Sequence, residues 1–181
     1  MDQEPRVVVS AIIIKKDEDG IKIFTQARWK PESSPTYSGM IEIPAGGIDS
    51  YENVYDALKR EIKEECSLDI VRIINDYQGP ITQIREKDKF FAFKPFICQQ
   101  ALETDEGLPW VGFVFLCEAK GDVRLNPHEA KDPAWLSLNE LADIVHNKPD
   151  TIFPLQLPVL QYFLEWSEKN EKVFEILENN S

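Results

Sequence analysis

Apolar residues recur along this chain in two different periods, and the change of period marks out its elements. Between Tyr51 and Cys66, the residues Tyr51, Val54, Tyr55, Leu58 and Ile62 return at three- and four-residue steps, which predicts a helix. Ser50 is the expected N-cap, and Glu52 falls in the first turn, where the helix dipole favours a negative charge. Shorter β-branched and aromatic runs predict strands at Arg6 to Lys15, Ile21 to Arg28, Met40 to Ile43, Ile70 to Gln78, Phe90 to Gln99 and Trp110 to Lys120. The polar turn Lys16 to Gly20 joins the first two into a hairpin. Trp29 to Gly39, with two prolines and three serines, reads as a loop.

Near the C-terminus, Ser137 to His146 predicts a helix capped by Ser137. Leu155 to Leu177 predicts one or two further helices, over about 155–178, broken around Asn170. Strands mixed with helices in this order predict an α/β fold, a layered mixed sheet between helices. No internal repeat is visible, and 181 residues with 43% hydrophobic content suit one domain over 1–181.

Charge and cysteine usage narrow the function classes. A net charge of -12 argues against a nucleic-acid duplex as partner, because phosphates would be repelled without a basic stripe. Cys66, Cys98 and Cys117 lie far apart in apolar segments, so they are expected to be buried, reduced thiols. The Val7 to Ile14 run is too short to span a membrane and is followed by Lys15 and Lys16, so a cytoplasmic location without membrane attachment is expected.

The predicted Tyr51 to Cys66 helix carries the candidate chemistry. At about 100° per residue, Ala57, Glu61, Glu64 and Glu65 share an arc of roughly 100° bordering the apolar stripe. Like charges at that spacing repel, and partial burial raises their pKa values. A divalent ion reverses both penalties, and magnesium prefers carboxylate oxygens and substrate phosphates. A solvated acidic face is the plain alternative.

The wider pattern reads Gly46, five residues, Glu52, seven residues, then Arg60, Glu61, Ile62, Glu64, Glu65, Ser67 and Leu68. It resembles the Nudix box, here residues 46–68, the signature of hydrolases acting on a nucleoside diphosphate linked to another group. One position departs: Ser67 stands where the box has glycine, which puts the exit geometry of the helix in question. The resemblance implies a Nudix-type α/β/α sandwich. It implies Glu61 and Glu65 as ligands of Mg2+ (or Mn2+), Glu64 as a ligand in some metal-loaded states, and the Ala45 carbonyl as a further contact. It also implies that Arg60 pairs with Glu52 to hold the acids in place, and that Gly46 and Gly47 let the turn approach ion and phosphate.

Pyrophosphate hydrolysis needs neutralised phosphates and an oriented water. The general base is either a box glutamate or a later loop acid, for which Glu129 in Asn126-Pro127-His128-Glu129 is the candidate, with His128 as a neighbour able to serve instead. Glu129 precedes Trp135-Leu136-Ser137-Leu138, which resembles the family's last strand and helix start. Arg28, at a strand end, is placed to meet a phosphate. Trp29, Tyr37, Phe91 and Trp110 are four aromatics from which a base-stacking residue could come, and core packing explains each as well.

The run Ile41-Glu42-Ile43-Pro44-Ala45-Gly46 is similar to the box entry of ADP-ribose and nucleotide-sugar pyrophosphatases, and so favours a nucleoside diphosphate derivative as the small-molecule partner. Nucleoside triphosphate pyrophosphohydrolysis remains the alternative, with a non-catalytic nucleotide-binding module behind it. The same resemblance implies a homodimer through N-terminal strands, whereas a central strand accounts equally for Val7 to Ile14.

Overall fold

The computed structural model describes residues 4–105, 109–175 and 177. In chain order the strands are β1 (Arg6–Asp17), β2 (Gly20–Arg28), β3 (Ile41–Glu42) and β4 (Ala45–Gly47). Helix α1 (Val54–Cys66) precedes β5 (Asp69–Ile74), β6 (Tyr77–Gln78), β7 (Thr82–Arg85), β8 (Asp88–Phe90), β9 (Phe93–Lys94), β10 (Ile97–Gln100), β11 (Trp110–Lys120) and β12 (Ala130–Ser137). Helices α2 (Leu138–Asn147), α3 (Leu157–Lys169) and α4 (Glu171–Glu175) complete the described chain.

The main sheet runs β10-β11-β1-β2-β12, with β3 on β2, β4 on β1 and β5 on β11. It is mixed: β1 and β11 are parallel and the other pairings antiparallel. Alternation along β1 separates two cores. Ile12 and Ile14 face a cluster that includes Leu141 of α2 and Leu160 and Phe163 of α3. Val9, Ala11 and Ile13 face the other way, toward Leu58 and Ile62 of α1 and Phe115 of β11. Helices therefore cover both faces, and the α/β/α sandwich is confirmed.

Because β1 pairs with β11 along one edge and with β4 and β2 along the other, the Val7 to Ile14 run is a core strand. It offers no open edge to a second copy. No helix among the described residues is long and apolar enough to cross a membrane.

Several boundaries differ from the sequence reading, each for a local reason. Helix α1 begins three residues late, with Asn53 as cap: its side chain accepts from the Tyr55 amide at 2.9 Å. Tyr51 is fully exposed with φ 61, so it stands outside the apolar stripe, and Glu52 precedes the helix. Asp49, Ser50 and Asn53 are all cap-type residues, and periodicity alone does not choose among them.

The expected strand Phe90 to Gln99 is divided among β8, β9 and β10, and Ile70 to Gln78 between β5 and β6. Asn75, with φ 57, turns the chain after β5. Cys66 and Cys117 are buried, and burial pushes the Cys66 thiol up to about 12. Cys98 is exposed on β10, contrary to expectation, because β10 is an edge strand whose alternate positions are left uncovered. The predicted C-terminal helix region is α3 followed by α4 with Asn170 between them; residues 176 and 178 lie outside the described residues.

Candidate active site

Three short elements build the site: β4, the second half of α1, and the 121–129 loop. Helix α1 is anchored through its buried stripe, so its charged edge is carried against β4. Ser67 ends the helix in the left-handed conformation, φ 62, that a glycine would adopt more easily. Its amide donates to the Lys63 carbonyl at 3.1 Å and its hydroxyl to the Arg124 carbonyl at 3.0 Å, which ties the loop to the helix end. The Asn126 amide adds a bond to the Glu65 carbonyl at 2.8 Å. Serine thus takes the left-handed exit in place of glycine, with the helix end tethered to the loop.

Glu61 packs its carboxylate directly onto Gly46: a methyl group at that position would overlap it and displace the acid. Glu65 is 2% exposed and lies behind the turn. One of its oxygens accepts from the Ala45 amide at 2.8 Å and the other from the Gln26 carboxamide at 2.8 Å. Two acids thus meet adjacent residues of the turn. Glu64 points outward, its side chain 61% exposed.

Arg60 organises the outer part of the cluster. Its Nε and Nη2 donate to the two oxygens of Glu52 at 2.8 and 2.7 Å, a bidentate fork. Nη2 also reaches the Gly47 carbonyl at 3.0 Å, and Nη1 reaches Glu61 at 2.7 Å and Glu64 at 3.4 Å. The Arg60 hydrogen bonds, together with one from the Asp49 amide, hold the Glu52 carboxyl down at about 2.

Beneath the turn lies a buried polar group that the sequence reading did not single out. Glu42, 2% exposed, pairs with Arg28 at 3.2 Å, and Gln26 bridges Glu42 and Glu65. Gln26 and Arg28 stand two apart on β2, on the same face, and only the β2–β3 register brings Gln26 opposite Glu42. Gln156, 1% exposed, accepts from the Ile43 amide and donates to its carbonyl, fixing the chain as it enters the turn. Arg28 is therefore mostly committed to Glu42, with its Nε buried and unpartnered.

Glu61, Glu64, Gly46, Ala45, Arg28 and Glu129 all line one cavity of about 790 Å³; His128 is exposed and does not line it. Among the described residues no three His, Cys, Asp or Glu side chains are gathered closely enough to hold an ion as they stand. The reason is visible in the hydrogen bonds: Arg60 takes Glu61 and Glu64, while Ala45 and Gln26 take Glu65. The donor set nonetheless suits a hard divalent cation, being carboxylate oxygen around a glycine cradle. Burial first, and then the charge of Glu42, raises the Glu65 carboxyl to about 8, an electrostatic load that a cation would relieve.

A family model described as the NUDIX domain matches residues 4–156. The chain belongs to the Nudix family. Membership makes it a pyrophosphohydrolase, of a class that works with divalent metal ions. Solved structures share the fold at low identity. The MutT protein from Methanosarcina mazei Go1 is 19% identical, with 94% of this chain and 99% of that one covered and a TM-score of 0.61. The NUDIX domain of Shewanella oneidensis NrtR, complexed with ADP ribose, is 12% identical with 93% and 90% covered and a TM-score of 0.57. A C. elegans Ap4A hydrolase binary complex is 17% identical with 90% and 98% covered and a TM-score of 0.52. Comparison with curated protein sequences found no match.

The raised Glu65 carboxyl gives this Nudix domain a pH signature. The folded form holds that proton more tightly than the unfolded chain, so the stability it brings is complete below about pH 4.5 and is lost as pH rises to about 8. Thermal melts of the metal-free protein should accordingly show a falling midpoint between pH 5 and 8. The fall should flatten in Glu65→Gln; an equal slope in that variant would assign the titration elsewhere.

Proposed function

We propose that this Nudix hydrolase cleaves the pyrophosphate linkage of a nucleoside diphosphate joined to a second group, of the ADP-ribose or nucleotide-sugar type. The observation that carries the reading is the shape of the cavity. Its lining joins Gly46, Glu61, Glu64 and Glu129 to Trp110, Leu102 and Phe153 around about 790 Å³, more space than a diphosphate alone fills. The Glu42-Ile43-Pro44-Ala45-Gly46 entry supports the same class. ADP-ribose occupies the similar Shewanella domain.

In this reading Glu61, Glu65 and the Ala45 carbonyl would hold Mg2+, or Mn2+ in its place, and Glu64 would join in some metal-loaded states. Magnesium supplies charge neutralisation of the diphosphate and a more acidic water. Arg60 positions the cluster: the fork on Glu52 anchors it to the chain before α1, and its Nη1 keeps Glu61 and Glu64 from repelling each other. Gly46 and Gly47 give the phosphates close access to the backbone. Arg28 presents a guanidinium edge from the cavity wall, and Lys30 a second cation.

Glu129 serves as general base in this proposal. It lines the cavity beside Glu61 and Glu64, and its charge reaches Glu65. Glu129→Gln should lower kcat by about a hundredfold or more with little change in KM. An unchanged rate would return the role to a box glutamate. The reading also takes residues 1–181 as one domain working in the cytoplasm on a free small molecule.

The deciding experiment is a panel of ADP-ribose, nucleotide sugars, dinucleoside polyphosphates and nucleoside triphosphates, assayed with magnesium and resolved by product. Release of a nucleoside monophosphate together with a phosphorylated sugar is expected. Turnover of triphosphates alone would overturn the assignment.

A further inference from the structure

Of the four aromatics that could stack on a base, Tyr37 and Trp110 line the cavity, and Tyr37 is packed edge-on against Phe153. Tyr37 is buried, and its hydroxyl accepts from the Asp105 amide at 3.0 Å. Phe91 stacks on Phe93 in the α1-side core. Trp29 is covered by the Lys131 ammonium, 3.3 Å from its ring centroid. Trp110 lines the cavity, half-buried, at the start of β11.

The parallel register sets Arg6 of β1 beside Trp110 and holds the guanidinium over the indole, 5.7 Å from its centroid. Arg6 is exposed and also lines the cavity, and among the described residues no carboxylate stands within ion-pair distance of it. Its guanidinium also adjoins the catalytic turn: a Cβ on Gly47 would stand 3.0 Å from Nη2. The indole and the turn are thus bridged by one side chain, a spacing that suits the base and the diphosphate of one nucleotide. Both residues sit on paired strands, so their backbones are fixed before a ligand arrives, while the exposed Arg6 side chain can lift from the indole.

Resting on the hydrolase reading above, we propose that Trp110 and Arg6 form the nucleobase subsite. The base stacks on the indole, and the Arg6 guanidinium closes over its other face. Stacking on an aromatic ring with a guanidinium partner favours any planar base over a ligand without one.

AMP and ribose 5-phosphate differ only by the base, so their affinities, measured by calorimetry with the magnesium-loaded protein, test the subsite without any turnover. The wild-type protein is expected to bind AMP about tenfold or more tightly than ribose 5-phosphate. Trp110→Leu should erase that ratio, Trp110→Phe should keep most of it, and Arg6→Gln should reduce AMP affinity severalfold while leaving ribose 5-phosphate less affected. Equal binding of the two ligands by the wild type, or a ratio preserved in Trp110→Leu, would overturn the proposal. Arg6 is exposed, so Arg6→Gln keeps the test open should the tryptophan variants fold poorly. Failure of the substrate panel would strike the hydrolase assignment alone, since the AMP preference is read from binding.

Discussion

Glu65→Gln is expected to reduce turnover with magnesium by about a thousandfold, several kcal/mol of transition-state stabilisation, with the fold preserved. The separation of the two effects follows from the burial of this side chain. Its carboxyl, raised to about 8, is already mostly protonated at neutral pH in the metal-free protein, and Gln is its neutral isostere. The amide oxygen can keep the Ala45 bond, so the melting midpoint near pH 6 should hardly move. What the variant lacks is a second oxygen and the negative charge that a divalent ion requires. Titration with Mn2+ should show weaker binding in parallel with the lost rate. A variant that turned over at the wild-type rate would remove Glu65 from the ligand set and leave it a structural acid.

Arg28→Met is expected to destabilise the fold by about 3–5 kcal/mol at pH 7 to 8, read from urea unfolding. Arg28 and Glu42 form a pair whose side chains are 11% and 3% exposed, so removing the cation leaves a carboxylate in a site that water does not reach. Burial already raises the Glu42 carboxyl, and Arg28 is the main group lowering it again. Without Arg28 the carboxyl rises further. The defect should therefore shrink as pH falls toward 5, because Glu42 then accepts a proton and the buried charge disappears. A loss of stability independent of pH would point to lost packing against Phe153, whose ring lies 4.8 Å from the guanidinium carbon.

These two variants separate what was legible in the chain from what was not. Glu65 announced itself, because it belongs to a helix whose period is written in its apolar residues, and whose acids keep fixed angular positions once that period is known. Ser137 was equally clear as a cap: its hydroxyl accepts from the Glu140 amide, and Glu140 returns a bond to the Ser137 amide. Strand β11 matched its predicted limits, Trp110 to Lys120, because the β-branched and aromatic run from Trp110 to Cys117 leaves little freedom. Local signals of this kind require only neighbours in sequence.

Glu42 gave no such notice of its partners. Gln26 and Glu65 are separated from each other by 39 positions, and Gln156 from Ile43 by 113, so their contacts exist only once the strands are in register. The short strands β6 to β9 were blurred for a related reason: Tyr77, Ile81, Ile84 and Phe90 remain exposed, and no alternation of buried and open faces marks their ends.

The chain by itself determined the helix with its acidic edge, the glycine turn before it, the family, and the mixture of strands and helices around them, since each is encoded by spacings of a few residues. Tertiary structure alone decided that Glu65 is sunk behind the turn while Glu64 faces water, that Arg28 serves Glu42, and that β1 is central with no free edge. It also decided that, of the two aromatics lining the cavity, Tyr37 is buried and Trp110 is half-open. Those outcomes depend on burial and on strand register, and both arise from contacts between segments far apart along the chain.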